Sequence, residues 1–267
     1  MTPLAVTPHA VMSVPDPQSA PMTYPGLMPG RDAVLLLGSE IMDVTPSNLP
    51  LGQWVTRCCV DDRALDTVLT DEGVAPIAER QPVLAIGSNA STTQLWRKFT
   101  TAGIRPIVPI TAATVPGIMA GVSAHVSRPG YIPATPVADP GSLAGLHITW
   151  LDDAQLAAMD LTEPNYHRMR LASRYPVSFP HGPAVAGCWL YISKHGYLTR
   201  RDGAPLPLGS QEALIAWLLD EVPALSEVTG PTPVEWVIRC QHPEVREQVR
   251  IMLRASGLVR PCKSLSG

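Results

Sequence analysis

The sequence predicts an α+β fold, and three observations carry that prediction. Two short apolar runs, Ala33 to Ser39 and Val83 to Ile86, read as buried strands. The stretch from Ile107 to Trp150 is rich in Val, Ile, Thr, Pro and Gly, and turn signals at Arg128-Pro129-Gly130 and Asp139-Pro140-Gly141 divide it into a series of short strands. Near the C-terminus, Ser210 to Asp220 and Pro243 to Ala255 repeat apolar residues at helical spacing.

Each element has a local reason. Residues 1–30 are Pro-rich and aperiodic, which predicts a flexible tail or an arm lying on another surface. An αβ extension follows over residues 31–80. It holds the run AVLLLGS, a second strand from Trp54 to Val60, and a short helix capped by Asp61 or Asp62 that carries Leu65, Val68 and Leu69 on one face. Val83 to Ile86 opens the core, residues 81–205, and leads through Gly87-Ser88-Asn89 into a helix capped by Ser91. Leu151 to Asp160 is helical, with Asp152 and Asp153 as N-terminal carboxylates. Strands return after Tyr166, and residues 206–267 form a helical segment packed on the core. Its last helix begins with Pro243 at the first position, runs Val245, Val249 and Met252 along one face, and stops at Gly257.

Composition removes several classes of function. The chain has 267 residues, with 20 Lys+Arg against 23 Asp+Glu, so no basic field exists for nucleic acid or an anionic membrane. Pro106 to Val126 contains no charged side chain, but Pro109, Pro116, Gly117 and Gly121 point to strands and not to a membrane span. Five cysteines, Cys58, Cys59, Cys188, Cys240 and Cys262, form no C-x-x-C pair, which argues against a zinc site or a disulfide scaffold. Pro3, Pro8, Pro15 and the prolines that follow interrupt any secretory h-region, so reduced thiols in a cytoplasmic setting are expected. No cofactor or metal is implied, and the expected partner is a small molecule, with the arm able to exchange between protomers.

Two segments can carry chemistry. After Gly87, peptide N–H groups at a helix start can hold a negative oxygen, although an ordinary strand-to-helix turn reads the same way. Glu163 lies beyond an apolar helix and before Pro164, where partial burial makes a carboxylate a competent base; a solvated helix-end acid is the alternative, and Tyr166 can equally be a packed aromatic. His125, His147, His167, His181 and His195 show no i, i+4 pair and read as strand or loop histidines. Arg168, Arg170 and Arg174 read as a solvated strand edge or as a carboxylate clamp.

Taken together, Ile86-Gly87-Ser88-Asn89, Gly130-Tyr131-Ile132-Pro133-Ala134-Thr135 with Asp139-Pro140-Gly141-Ser142, and Met159-Asp160-Leu161-Thr162-Glu163-Pro164-Asn165-Tyr166 resemble, in this order, the γ-glutamylcyclotransferase-like family over roughly residues 82–200. The resemblance implies a mixed β-barrel with flanking helices. It implies a substrate site at Ile86, Gly87, Ser88, Asn89 and Tyr166, and Glu163 as the base that lets a γ-glutamyl amine close on itself, releasing 5-oxoproline and an amine. This is the chemistry of an amine-releasing transferase or lyase. Ile86 stands where the family has Tyr, and Pro164 where it has Gly. The alternative is a non-catalytic module on the same fold that binds a small molecule or a protein. The two readings divide on whether Glu163 faces the loop across an open cavity.

Overall fold

A computed structural model describes residues 9–10, 15–57, 61–180, 185, 187–262 and 265. Pro3, Pro8, Cys58, Cys59, Val60 and His181 lie outside the described residues. Ten strands share one mixed sheet: β1 (His9–Ala10), β2 (Ala33–Leu37), β3 (Glu40–Thr45), β4 (Val55–Thr56), β5 (Arg63–Ala64), β6 (Gln81–Ala85), β7 (Ile107–Val122), β8 (Ala134–Leu151), β9 (Tyr166–Arg170) and β10 (Trp189–Ser193). The order is β5-β4-β3-β2-β7-β8-β6-β10-β9, with β1 on β3. β6 and β10 run parallel, and the other described pairs are antiparallel. A small second sheet pairs β11 (Tyr197–Leu198) with β12 (Val259–Arg260).

Strand alternation divides the core. Ala33 and Leu35 of β2 and Leu84 of β6 join one apolar cluster, with Trp54, Leu65, Val68 and Leu69. Their neighbours Val34, Leu36 and Val83 face the other way, onto Leu95, Phe99, Leu156 and Met159. The side chains of the second group belong to α2 (Thr92–Thr101) and α3 (Asp153–Thr162). A third cluster joins Val122, Ala124 and Ile132 to α4 (Gln211–Glu221), α5 (Leu225–Thr229), α6 (Pro233–Arg239) and α7 (Pro243–Ala255). The extension contributes α1 (Leu65–Asp71), and its β2 pairs with β7 over five residues, so it is continuous with the main sheet.

Several local expectations change. Of the strand expected from Trp54 to Val60, the described part, through Arg57, holds the two-residue β4. Asp61 and Asp62 do not cap α1: the N-cap is Ala64, and Asp62 is paired with Arg57 instead. In place of a series of short strands, β7 and β8 are 16 and 18 residues long. Asp139-Pro140-Gly141-Ser142 does not end β8. Pro116 pairs with Leu143 and Ile118 with Ala138, so these four residues bulge opposite Gly117 while the ladder continues beyond them. Arg128-Pro129-Gly130 does form the β7–β8 connection, and Gly130 is needed there. Its φ is +107°, and a Cβ would lie 2.5 Å from the Val237 carbonyl oxygen. α7 has the expected limits, with Pro243 in its first turn. No described helix is long and apolar enough to cross a membrane.

Candidate active site

β6 ends at Ala85, and the chain turns through Ser88–Ala90 into α2. On the far side α3 ends at Thr162, because a residue before proline is driven out of the helical region. Glu163 takes φ −116°, ψ 51° and its side chain turns back toward the loop. Ile86, Gly87, Ser88, Asn89, Glu163 and Tyr166 line one cavity of about 350 Å³. Tyr24, Lys98, His125 and Tyr131 line it too.

Lys98 organises the floor. Its ammonium donates to Glu163 Oε1 and to Asn89 Oδ1, each at 2.7 Å, and lies 3.3 Å from Met159 Sδ. The side chains are 6% and 14% exposed, so the Lys98–Glu163 pair is largely shielded from water. Among the described residues Glu163 Oε2 accepts no hydrogen bond, which leaves one carboxylate oxygen for a ligand. Ser91 is the N-cap of α2, yet its hydroxyl makes no capping bond and is buried without a partner among the described residues.

The Gly87 loop is tight because another side chain lies on it. A Cβ at Gly87 would fall 2.2 Å from the Tyr24 hydroxyl oxygen and 3.1 Å from Ala134 Cβ, so the glycine is needed for close approach and not for its φ of −136°. That hydroxyl accepts the Ala134 N–H at 2.9 Å, and the Tyr24 ring stacks on Tyr131 with centroids 4.3 Å apart. The Tyr166 hydroxyl donates to the Ala134 carbonyl at 2.8 Å. Burial raises all three phenols: Tyr131 is pushed up to about 12, and Tyr24 and Tyr166 rise well above the usual range. They remain neutral at physiological pH.

His125 closes another wall. Burial, and then the neighbouring His195 ring 4.6 Å away, push it down to about 3, so it is a neutral imidazole. Ser123 Oγ is hydrogen-bonded to Ser193 Oγ at 2.7 Å. Ser123 Oγ also lies 2.6 Å from His125 Nδ1, while Nε2 makes no hydrogen bond to a described residue.

Other sequence candidates lie elsewhere. The guanidinium carbons of Arg168 and Arg170 stack on the Trp189 ring at 4.6 and 4.4 Å along the edge strand β9, and Arg168 also pairs with Asp160. Neither lines the cavity, so the clamp alternative does not apply to them. His195 Nε2 meets Asn165 Oδ1 at 2.9 Å, and Cys188, Cys240 and Cys262 are free thiols. Among the described residues no three His, Cys, Asp or Glu side chains are grouped to hold a metal.

Sequence reasoning missed Lys98, Tyr24, Tyr131 and His125. Lys98 had a signal: it is a basic residue on the same α2 face as the buried Leu95 and Phe99, where a charge needs a partner. Tyr24, in an aperiodic segment, had none. Chemically, the cavity offers a carboxylate with one oxygen held by an ammonium and the other without a described donor, neutral phenols, a neutral imidazole and the peptide groups of the loop.

No protein-family model matches the chain, and none of the curated proteins does. Among solved structures it is similar to a gamma-glutamyl cyclotransferase at 14% identity, covering 65% of this chain and 99% of that one, with a TM-score of 0.37. It is similar to a protein of Arabidopsis thaliana solved in solution at 14% identity, covering 57% and 89%, TM-score 0.35. It is similar to an uncharacterized protein of Homo sapiens at 13% identity, covering 64% and 99%, TM-score 0.36.

Proposed function

We propose that the chain is a γ-glutamylcyclotransferase-type enzyme that releases 5-oxoproline and an amine from a γ-glutamyl amine or peptide. One observation carries the reading: Glu163, whose Oε2 accepts no hydrogen bond from a described residue, and the Gly87–Asn89 loop line the same cavity. In this reading the loop holds the glutamyl half, and Glu163 takes a proton from the α-ammonium, which is not a nucleophile until it loses one. The amine lone pair attacks the γ-carbonyl carbon, the new C–N bond closes the ring, and the old amide C–N bond breaks. The proton on Glu163 passes to the departing amine, and the second proton that the ring nitrogen sheds on becoming an amide follows by way of the same carboxylate, so the amine leaves as an ammonium. The balance requires no oxidant and no cofactor, and holding both reacting groups in one cavity supplies the proximity the closure needs. The setting that goes with this proposal is cytoplasmic.

A second reading has its own observation. Tyr24 lies against Gly87, where a ligand would meet the loop, as in a module that binds without turnover. The deciding experiment is 5-oxoproline release from a panel of γ-glutamyl amino acids and amines, comparing wild type with Glu163→Gln. Gln keeps an oxygen for Lys98 and loses the base. Release in the wild type that the substitution abolishes, in folded protein, supports the enzyme. Calorimetric binding of the same compounds with no release supports the module.

A further inference from the structure

The N-terminal arm reaches the cavity and does more than cover it. Asp16 pairs with Arg97 at 2.6 Å and accepts from Gln94, both on α2. Gln18 and Tyr24 of the arm line the cavity. Tyr24 is 5% exposed and forms a small apolar cluster with Tyr131 and Ala134. Its hydroxyl is wedged between the loop and the start of β8, bonded to the Ala134 N–H and too close to Gly87 for any Cβ there. With the arm seated in this way, about 350 Å³ of cavity remains, and Glu163 still lines it. The arm therefore forms a wall of the site and does not plug it.

We infer that the arm is part of the substrate site and that Tyr24, through a hydroxyl wedged between Gly87 and Ala134, is its specificity-determining residue. This deepens the cyclotransferase reading and rests on it for the identity of the substrate. A γ-glutamyl compound lying on the loop meets the Tyr24 ring, and the wedge sets how much space the glutamyl half has beside the loop. Removing the ring opens that end, so the substrate is held less tightly while the groups that move protons stay in place.

Full-length Tyr24→Ala and Tyr24→Phe are compared with wild type for 5-oxoproline release from the γ-glutamyl panel. Tyr24→Ala should raise KM about tenfold, the effect of losing roughly one aromatic contact, with kcat changed about twofold or less; Tyr24→Phe should raise KM less. An unchanged KM in folded Tyr24→Ala overturns the inference. A lower KM overturns it too, because the arm would then be a competitor of the substrate.

A thermal cycle needs no substrate. Gly87→Ala should lower the melting midpoint by about 5 °C, because the new methyl collides with the Tyr24 oxygen. In the Tyr24→Phe background, which lacks that oxygen, at least half of the loss should disappear. An equal loss in both backgrounds overturns the wedge. If wild type releases no 5-oxoproline from any compound, the functional reading falls, and the thermal cycle alone decides the place of Tyr24.

Discussion

The Lys98 ammonium lies 2.7 Å from Glu163 Oε1 and 2.7 Å from Asn89 Oδ1, so one buried cation ties the end of α3 to the loop before α2. It holds one oxygen of the candidate base, and the other accepts no hydrogen bond from a described residue. A shielded pair is costly to break from one side, because the remaining charge loses its partner. Lys98→Met and Glu163→Ala should each cost about 3 kcal/mol or more by urea denaturation, while Glu163→Gln, which keeps an acceptor, should cost less. The double variant Lys98→Met/Glu163→Gln should cost less than the sum of its two single variants, by about 1 kcal/mol or more. Strict additivity would mean that the contact does not couple the two elements.

Ser91 stands at the N-cap of α2, where replacing a capping hydroxyl by Ala ordinarily costs about 1 kcal/mol. Its Oγ makes no capping bond and is buried without a partner among the described residues. Removing an unsatisfied buried hydroxyl relieves a desolvation cost. Ser91→Ala should therefore be neutral or stabilising by roughly 1 kcal/mol in the same assay. A loss as large as that of an ordinary cap would refute the assignment.

His125 carries a pH dependence whose sign follows from burial. Its folded-state value is pushed down to about 3 from the usual 6.5, first by burial and then by His195. Above pH 6.5 neither folded nor unfolded chain protonates it. From 6.5 down to about 3 only the unfolded chain takes up the proton, so stability falls on acidification, by about 1.4 kcal/mol per pH unit for this group. His147 and His195 are lowered by burial as well and contribute in the same direction. His125→Asn should reduce the acid slope of unfolding free energy against pH by one proton over that window. An unchanged slope would show that the ring protonates in the folded protein.

Arg80 is 4% exposed, and its guanidinium donates to the carbonyls of Ala75, Ile107 and Trp150 and to Gln155 Oε1. Gln155 is also the partner of Asp152 in the capping box of α3. Arg80→Ala takes a donor from all four acceptors, of which Ile107 O and Gln155 Oε1 keep a second one, and should cost about 3 kcal/mol, measured by thermal or urea unfolding. Arg80→Lys should recover only part of this, since an ammonium cannot span the same fan of acceptors.

How much could be read from the chain itself depends on how local the cause was. The limits of α7 follow from a proline at its start, an apolar stripe and a glycine past its end, all within one segment. β2 and β6 follow from apolar runs, and α3 from Asp152 and its spacing. The segments around Gly87 and Glu163 were visible as motifs because their types and order are written in sequence. Other features were decided only when the elements packed. Pro116 and Asp139-Pro140-Gly141 look like strand ends, but the long β7–β8 ladder absorbs them as a bulge. α6 and its seat under Gly130 depend on a contact that no periodicity announces. Lys98 meets Glu163 across 65 residues of chain, and Tyr24 meets Ala134 across 110. A hydrophobic pattern tells which face of an element is buried, while the partner buried against it is chosen by the energy of the whole packed arrangement. The loop and the carboxylate were therefore legible in the sequence, and the cation that holds the carboxylate and the arm that walls the cavity belong to the tertiary structure.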